Sequence, residues 1–294
     1  GINTNDVIEI LNRKWIEKTE KSYNTAAVKY RAEEYAALNG EAKGKIDESG
    51  DFVREGTDIN DYAIPFVKSI SLIHKLREVQ ALIGFTRCRP LERTASLEKN
   101  GILVNIKEKT DDWYPAYEVR GEGIFIEFDA ELIRDFCQKS VALNKRADSI
   151  NKNYRDSFIG QNNPRHISVK FMLLHTLAHL LIKQLSFECG YNIASLKERI
   201  YCSEANEGIE MQGILIYTAS GDSEGTLGGL VRQGRSDVFS SIFRKAVESA
   251  LYCSNDPVCS LSHGQGRDSL NLAACYSCTL IPETSCEEFN VFLD

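Results

Sequence analysis

The sequence lacks the features that mark several common classes of protein. It has no apolar run that approaches the length of a membrane span, and its start has no basic segment followed by an apolar one, so neither a transmembrane helix nor a secretory signal is predicted. It also lacks a Walker A sequence and a DEAD/DEAH-type box, so we predict no nucleotide-driven motor in this chain. It does not begin with Met, and the opening GINTND resembles a cut into a longer protein.

Positive charge is scarce and unevenly distributed. The 294 residues carry a formal net charge of −7, which argues against a generally basic protein that coats nucleic acid. From Tyr201 to the end there are 13 acidic and 5 basic residues, whereas the first 200 residues carry a net charge of +1. One basic stretch is the candidate nucleic-acid contact, with an ordinary solvated surface as the alternative interpretation. Its cations are Lys145, Arg146, Lys152, Arg155, Arg165 and Lys170, against Asp148 and Asp156.

Disulfides alone cannot pair the cysteines of this chain, because there are nine of them. Four are scattered among apolar residues, where we predict buried, reduced thiols: Cys88, Cys137, Cys189 and Cys202. A reduced, cytoplasmic protein with one clustered metal site explains this distribution best.

The other five cysteines lie in the last 42 residues, with the spacing C-x5-C-x15-C-x2-C-x7-C: Cys253, Cys259, Cys275, Cys278 and Cys286. The C-x2-C pair has the spacing of a zinc knuckle, which directs two thiolates at one ion. The second pair must come from the remaining three cysteines, and His263 could replace one thiolate. Four protein ligands leave no open position, so we predict one structural Zn²⁺ held by four of the five cysteines. Buried free thiols are the alternative.

Two further patterns could bind a cation. His175 and His179 lie four residues apart in an apolar segment, which places both imidazoles on one face of a helix. Thr176 stands where a zinc protease needs its Glu, so the peptidase motif fails, and a structural polar network is the favoured interpretation. The alternative is a second metal or nucleic-acid site that includes Arg165 or His166. Asp222 and Glu224 lie in a glycine-rich turn that could also hold a cation, although a solvated acidic turn explains it as well.

The apolar periodicity predicts a mixed α/β (α+β) protein with a helical N-terminal segment, a small β-rich middle and a C-terminal α/β module that contains a four-cysteine zinc site. We expect a charged helical segment and linker at residues 1–65, a β-rich segment with flanking helices at 66–150, and a zinc-binding domain at 151–294.

Individual elements follow from the same patterns. Residues 67–85 alternate first and then become helical in pattern, and a polar helix is predicted over residues 130–150. The segment that contains both histidines is apolar all round, which predicts a buried central helix that ends at Gly190. Residues 195–198 form a capping-box pattern that predicts a short helix. A buried strand (213–220) and an amphipathic helix (236–253) are predicted to lead into the cysteines.

From about Leu76 to the end, the sequence resembles the C-terminal half of the DrmB family of bacterial DISARM anti-phage (antiviral) defence systems. The resemblance rests on phrases that occur in order, among them "WYPAYEVRGEGIFIEF", "LLHTLAHLLIKQLSFECGYNIASLKERIY", "GILIYTASGDSEGTLGGLVRQG", "CSNDPVC" and "LNLAACYSCTLIPETSCEEFN". The region from His175 onward is similar to a domain at the C-termini of Mrf-type repair helicases, where four cysteines bind zinc. The resemblance implies ligands at Cys253, Cys259, Cys275 and Cys278, with Cys286 as the spare.

The resemblance also implies a partner, an SNF2/superfamily-2-type DNA helicase subunit similar to DrmA. We therefore predict a non-catalytic, zinc-binding accessory subunit that partners this helicase and aids DNA engagement, with DNA bound through the complex and no membrane contact. The alternative is a metal-dependent hydrolase or nuclease that uses His175, His179 and the Asp222/Glu224 loop. A free-standing DNA-binding regulator is a third hypothesis, which the negative charge disfavours.

Overall fold

The computed structural model describes residues 20–41, 50–85, 104–106, 113–162, 164–203, 209–218 and 229–294. Seven helices lie in these ranges: α1 (Glu20–Asn39), α2 (Ala130–Lys139), α3 (Val141–Asp156), α4 (Phe158–Asn162), α5 (Val169–Cys189), α6 (Gly229–Gln233) and α7 (Ser236–Ser249). The strands are β1 (Val53–Gly56), β2 (Val67–Ala81), β3 (Gly84–Phe85), β4 (Val104–Asn105), β5 (Ala116–Phe128), β6 (Leu196–Ser203) and β7 (Met211–Thr218). The predicted mixed α/β class is confirmed.

The chain divides into two compact units. One comprises residues 1–34 and 79–118, and it contains the two-stranded antiparallel ribbon β3–β4. The other comprises residues 35–78 and 119–294, and it contains the C-terminal cysteines and both histidines singled out above. Strands β1, β2, β5, β7 and β6 form one sheet in that order, and the pairs β1–β2, β5–β7 and β7–β6 are antiparallel.

Helix α5 is the central buried helix, as predicted. No residue from Val169 to Ser186 is exposed, and eleven of its side chains are buried. Ser168 caps its start by accepting a hydrogen bond from the backbone N–H of Phe171 (3.1 Å), and Gly190 ends it in the left-handed conformation at φ 71°. Because the helix is surrounded by protein, polar side chains on it must find partners inside the core.

Strand alternation decides which side chains of β6 face α5. Leu196, Glu198 and Ile200 are buried two residues apart, with half-buried residues between them. Leu196 and Ile200 pack in the same core cluster as the apolar residues of α5. Glu198 lies between them on this face, so the sheet directs one carboxylate into the apolar core beneath the helix.

Aromatic rings fill the opposite face of the sheet. The rings of Tyr35, Phe125 and Tyr201 lie with centroids 5.6–5.8 Å apart. Gly213 makes room for them, because a Cβ there would lie 2.8 Å from the Phe125 ring and 3.0 Å from the Tyr35 ring. Tyr35 Oη also donates a hydrogen bond to Glu127 Oε1 (3.0 Å), so the buried hydroxyl has a partner.

Three element predictions were wrong. Residues 195–198 do not open a helix, because β6 pairs with β7 along its full length from Leu196 to Ser203, and this pairing outweighs the capping-box pattern. The alternation that begins at Val67 continues through Ala81 as one strand, so no helix forms in the second half of that segment. The polar helix predicted over residues 130–150 is two helices, separated at Ser140, whose φ/ψ of −85°/91° is extended.

The scattered cysteines are less buried than predicted. Cys137, Cys189 and Cys202 form no disulfide, as expected, but each is half-buried, and Cys88 lies outside the described residues. Within the described ranges, no helix has both the length and the apolar character needed to cross a membrane.

Candidate metal centre

Tight turns after helix α7 carry four of the five C-terminal cysteines. Asp256 closes the first turn, because its side chain accepts hydrogen bonds from the backbone N–H groups of Cys253 (3.2 Å) and Ser260 (2.9 Å). The C-x2-C turn is closed by the Cys278 N–H, which donates to the carbonyl oxygen of Cys275 (3.2 Å). Short-range backbone hydrogen bonds therefore orient the cysteines within each turn.

The sulfurs of Cys253, Cys259, Cys275 and Cys278 converge on one point, and all lie within 4.8 Å of one another. Three of their separations are 3.5 Å (Cys253–Cys275), 3.7 Å (Cys275–Cys278) and 3.8 Å (Cys259–Cys278). A tetrahedral zinc with Zn–S bonds of about 2.3 Å requires sulfurs about 3.8 Å apart, whereas a disulfide requires about 2.05 Å. The cluster is therefore compatible with one structural zinc and not with disulfides.

Each of the four sulfurs accepts a hydrogen bond from the protein. Asn255 donates its backbone N–H to the sulfur of Cys253 (3.4 Å) and its side-chain amide to that of Cys275 (3.3 Å). The Gln265 amide donates to the sulfur of Cys259 (3.5 Å), and the fourth sulfur accepts the backbone N–H of Cys275 (3.2 Å). Donors of this kind stabilise thiolates, which are the form that binds zinc.

Electrostatics distinguish the thiols of this cluster. Burial opposes ionisation of the Cys275 thiol, but hydrogen bonds from the Asn255 side chain and from backbone N–H groups outweigh it and lower the pKa to about 6. Burial raises the pKa of the Cys259 thiol to about 12. Lys183 of helix α5 donates to the carbonyl oxygen of Cys278 (2.6 Å), so a cation lies beside the thiolates. Four thiolates and one Zn²⁺ carry a net charge of −2, which this ammonium partly balances.

The fifth cysteine belongs to a different group. Cys286 is buried beside His175, His179 and Glu198, and one ligand atom from each lies within 4.8 Å of the others. Sequence reasoning paired the histidines with each other but missed Glu198 as their neighbour. The signal was present in the alternation of Leu196, Glu198 and Ile200, had the segment been identified as a strand.

The predicted basic stretch separates into two sets. Lys145, Lys152 and Arg155 are exposed on α3. The other three cations make contacts within the protein. Arg146 pairs with Asp294, Arg165 pairs with Glu288 (3.1 Å) and lies over the rings of Phe171 and Phe292, and Lys170 is buried and donates to the Ser203 carbonyl oxygen (2.6 Å).

The remaining candidates do not join the cysteine cluster. His263, considered as a replacement ligand, is exposed, and so is His166. Asp222 and Glu224 lie outside the described residues. The four sulfurs that converge are thus those of Cys253, Cys259, Cys275 and Cys278.

Comparison with known proteins agrees with this geometry. The family model of the MrfA Zn-binding domain matches residues 177–279, a range that includes all four clustered cysteines and stops before Cys286. The DISARM protein DrmB of Bacillus paralicheniformis is 36% identical over 296 residues, which cover 100% of this chain and 49% of the relative. The chain therefore spans about half the length of this relative. The chain is thus similar to this DrmB protein over its whole length and matches the MrfA Zn-binding domain over residues 177–279, which confirms the resemblance predicted from its sequence.

Proposed function

We propose that the chain is a non-catalytic, zinc-binding accessory subunit of a DISARM-like anti-phage defence complex in the cytoplasm. In this proposal it docks on an SNF2/superfamily-2-type DNA helicase similar to DrmA and aids DNA engagement, while the partner supplies ATP hydrolysis. The homology to DrmB supports a role in defence. The absence of Walker A and DEAD/DEAH-type sequences from this chain supports the division of labour.

The closed sulfur cluster is the observation that carries the proposal. We assign the zinc ligands to Cys253, Cys259, Cys275 and Cys278, whose sulfurs fill all four tetrahedral positions. A catalytic zinc keeps one position for water or substrate, and this set leaves none. The ion would stabilise the turns between residues 253 and 278, and the zinc-binding domain that we predict from residue 151 onward would present them as a rigid surface.

An apolar surface on these turns supports a protein partner. We call it the zinc-loop surface, and it comprises five large side chains that are each 71–80% exposed: Leu251, Tyr252, Val258, Leu261 and Tyr276. We propose that these side chains form one contiguous patch, which would mark an interaction site. Aromatic residues, which dominate the energetics of protein interfaces, supply two of the five. The acidic C-terminal third, with a net charge of −8, suits a partner whose surrounding surface is basic.

Direct DNA contact is the weaker component of the proposal. Lys145, Lys152 and Arg155 share helix α3 with exposed Asp148 and Asp156, which leaves a net charge of only +1. Phosphate contacts need uncompensated cations. We therefore propose that the chain acts on DNA mainly through the helicase.

The hydrolase alternative finds little support. His175 and His179 are both 0% exposed, and a hydrolytic metal site needs access for water and substrate. The acidic residues proposed to complete that site, Asp222 and Glu224, lie outside the described residues.

The proposal is tested with the purified complex of this protein and its helicase. Removal of the chain should lower DNA-stimulated ATPase activity and DNA affinity, and unchanged values for both would refute the proposal. A Val258→Asp/Tyr276→Asp variant should lose helicase binding and retain its zinc, because both side chains point to solvent. Phe187→Asp is the matched control, since Phe187 is 81% exposed but lies outside the zinc-loop surface.

A further inference from the structure

A second group of metal-ligating side chains lies beneath helix α5. His175 and His179 come from successive turns of α5, Glu198 from strand β6, and Cys286 from the segment that follows the zinc turns. His175 Nε2 lies 3.0 Å from Glu198 Oε1 and 3.2 Å from Cys286 Sγ, and His179 Nε2 lies 3.5 Å from the same carboxylate oxygen. Two of these residues, His175 and Cys286, lie outside the range matched by the zinc-binding family.

The hydrogen bond of His179 identifies the free nitrogen of its ring. Its Nδ1 lies 3.1 Å from the carbonyl oxygen of Thr279, which can only accept, so Nδ1 carries a proton. In the neutral ring Nε2 is then an acceptor, and within the described part of the chain it has no hydrogen-bond partner. It faces a carboxylate oxygen, which is also an acceptor. Two acceptors directed at each other in a buried site repel unless a proton or a metal ion lies between them, and a ring N–H donated to a backbone carbonyl is typical of metal-ligating histidines.

The sulfur of Cys286 is a buried hydrogen-bond acceptor. It accepts backbone N–H groups from Glu288 (3.3 Å) and Asn290 (3.2 Å). The backbone turns back at Phe289 and Asn290, which both have positive φ values (53° and 58°). Non-glycine residues adopt this conformation at a cost in conformational free energy. The segment thus directs donors at one sulfur in the core, as the turns of the cysteine cluster do.

Charge balance also favours a bound cation. The side chains of His175, His179 and Glu198 are 0% exposed, so a carboxylate there needs compensation. Glu198 Oε2 has no hydrogen-bond partner among the described residues. One divalent ion with two neutral imidazoles, one thiolate and one carboxylate is electrically neutral overall, which lowers the cost of burying these groups.

We propose a second structural zinc site, formed by His175 Nε2, His179 Nε2, the Glu198 carboxylate and Cys286 Sγ. Imidazole, thiolate and carboxylate are the ligands that Zn²⁺ takes, and four of them close its tetrahedral shell. The ion would join the central helix, the sheet and the C-terminal segment. His175 Nδ1 would still have no hydrogen-bond partner among the described residues. This inference does not depend on the proposed function.

The test is the zinc content of the purified full-length protein together with its zinc-edge X-ray absorption spectrum. We expect two zinc ions per chain and an average of about 2.5 sulfur and 1.5 nitrogen or oxygen ligands per zinc. A single zinc with four sulfur ligands, or a second zinc without nitrogen ligands, would overturn the proposal. This measurement needs no variant, so it decides even if the variants fail to fold.

Two variants and a control locate the ion. His179→Gln should reduce the zinc content from two per chain to one and leave an all-sulfur spectrum, and retention of both ions would contradict the assignment. Cys278→Ser should leave one zinc whose shell contains nitrogen. Cys137→Ser is the matched control, because Cys137 is a half-buried cysteine that belongs to neither cluster, and it should retain both ions.

Discussion

The four sulfurs of the cysteine cluster come from neighbouring turns, whereas His175, His179, Glu198 and Cys286 come from a helix, a strand and a terminal segment. Within the cysteine cluster the pairs in contact are separated by 22 positions or fewer along the chain. His175 and Cys286, by contrast, are 111 positions apart. The first cluster is bounded by half-exposed turns, and the second is enclosed by the core. The first site can therefore organise a local loop, while the second can exist only once the whole unit has folded.

The largest expected effect on stability comes from removing one of the four cysteine ligands in the zinc turns. Cys278→Ser should release that zinc and unfold the segment between residues 253 and 278, because metal binding to such a site supplies its folding free energy, on the order of 10 kcal/mol in small zinc modules. Thermal unfolding monitored by circular dichroism, with zinc release measured in parallel, checks this. An unchanged melting temperature with zinc retained would show that the cluster is not a structural zinc site.

Removal of the buried carboxylate should have the next largest effect. Glu198→Gln deletes the negative charge that faces both histidines, and we expect a loss of about 3–5 kcal/mol in the free energy of unfolding. The control is Glu210→Gln, which breaks a more exposed ion pair with Arg134 (2.7 Å) and should cost at most about 1 kcal/mol. If urea denaturation gives the same loss in free energy of unfolding for both variants, the buried carboxylate contributes no more to stability than a surface ion pair does.

In the metal-free protein at pH 7, the cysteines of the two clusters should be alkylated at different rates. Without zinc the segment between residues 253 and 278 should unfold and expose the Cys275 thiol, whereas burial in the core raises the pKa of the Cys286 thiol well above its usual range. Thiolates are the reactive form, so iodoacetamide should label Cys275 well before Cys286. Peptide mapping by mass spectrometry measures the order, and simultaneous labelling would mean that the second cluster opens together with the first.

The smallest expected effect concerns DNA. Lys152→Ala/Arg155→Ala should weaken DNA binding by the helicase complex only slightly and reduce the slope of log affinity against log salt by no more than about two. Asp148→Ala, on the same helix, is the control and should not weaken binding. A loss comparable to that caused by removal of the whole chain would mean that helix α3 is the principal DNA contact.

The contrast between the clusters also explains what the sequence could predict. Cys275-x2-Cys278 is a local pattern, and the resemblance to DrmB supplied Cys253 and Cys259, so the first set could be named in advance. Glu198 could not be placed, because the capping-box pattern at Ser195 predicts a helix and only pairing with β7 makes the segment a strand. Proximity in sequence groups Cys286 with the other C-terminal cysteines, whereas the turn after Ser285 directs its sulfur into the core.

The positions of the cations in the basic stretch also could not be predicted from sequence. Six cations within one segment predict a shared surface, but Lys170 is buried, Arg165 lies against two aromatic rings and Arg146 pairs with Asp294. These partners lie far along the chain, so composition could not reveal them. The long apolar helix, in contrast, was predictable because an all-round apolar pattern allows only a buried position.

The most direct test of the proposed function is the zinc-edge X-ray absorption spectrum of a Cys286→Ser/His179→Gln variant, in which only the cysteine cluster can hold zinc. A closed structural site predicts one zinc per chain with four sulfur ligands at about 2.3 Å and no nitrogen or oxygen in the first shell. A bound oxygen or nitrogen would reveal an open coordination position and would contradict the non-catalytic role proposed for this module.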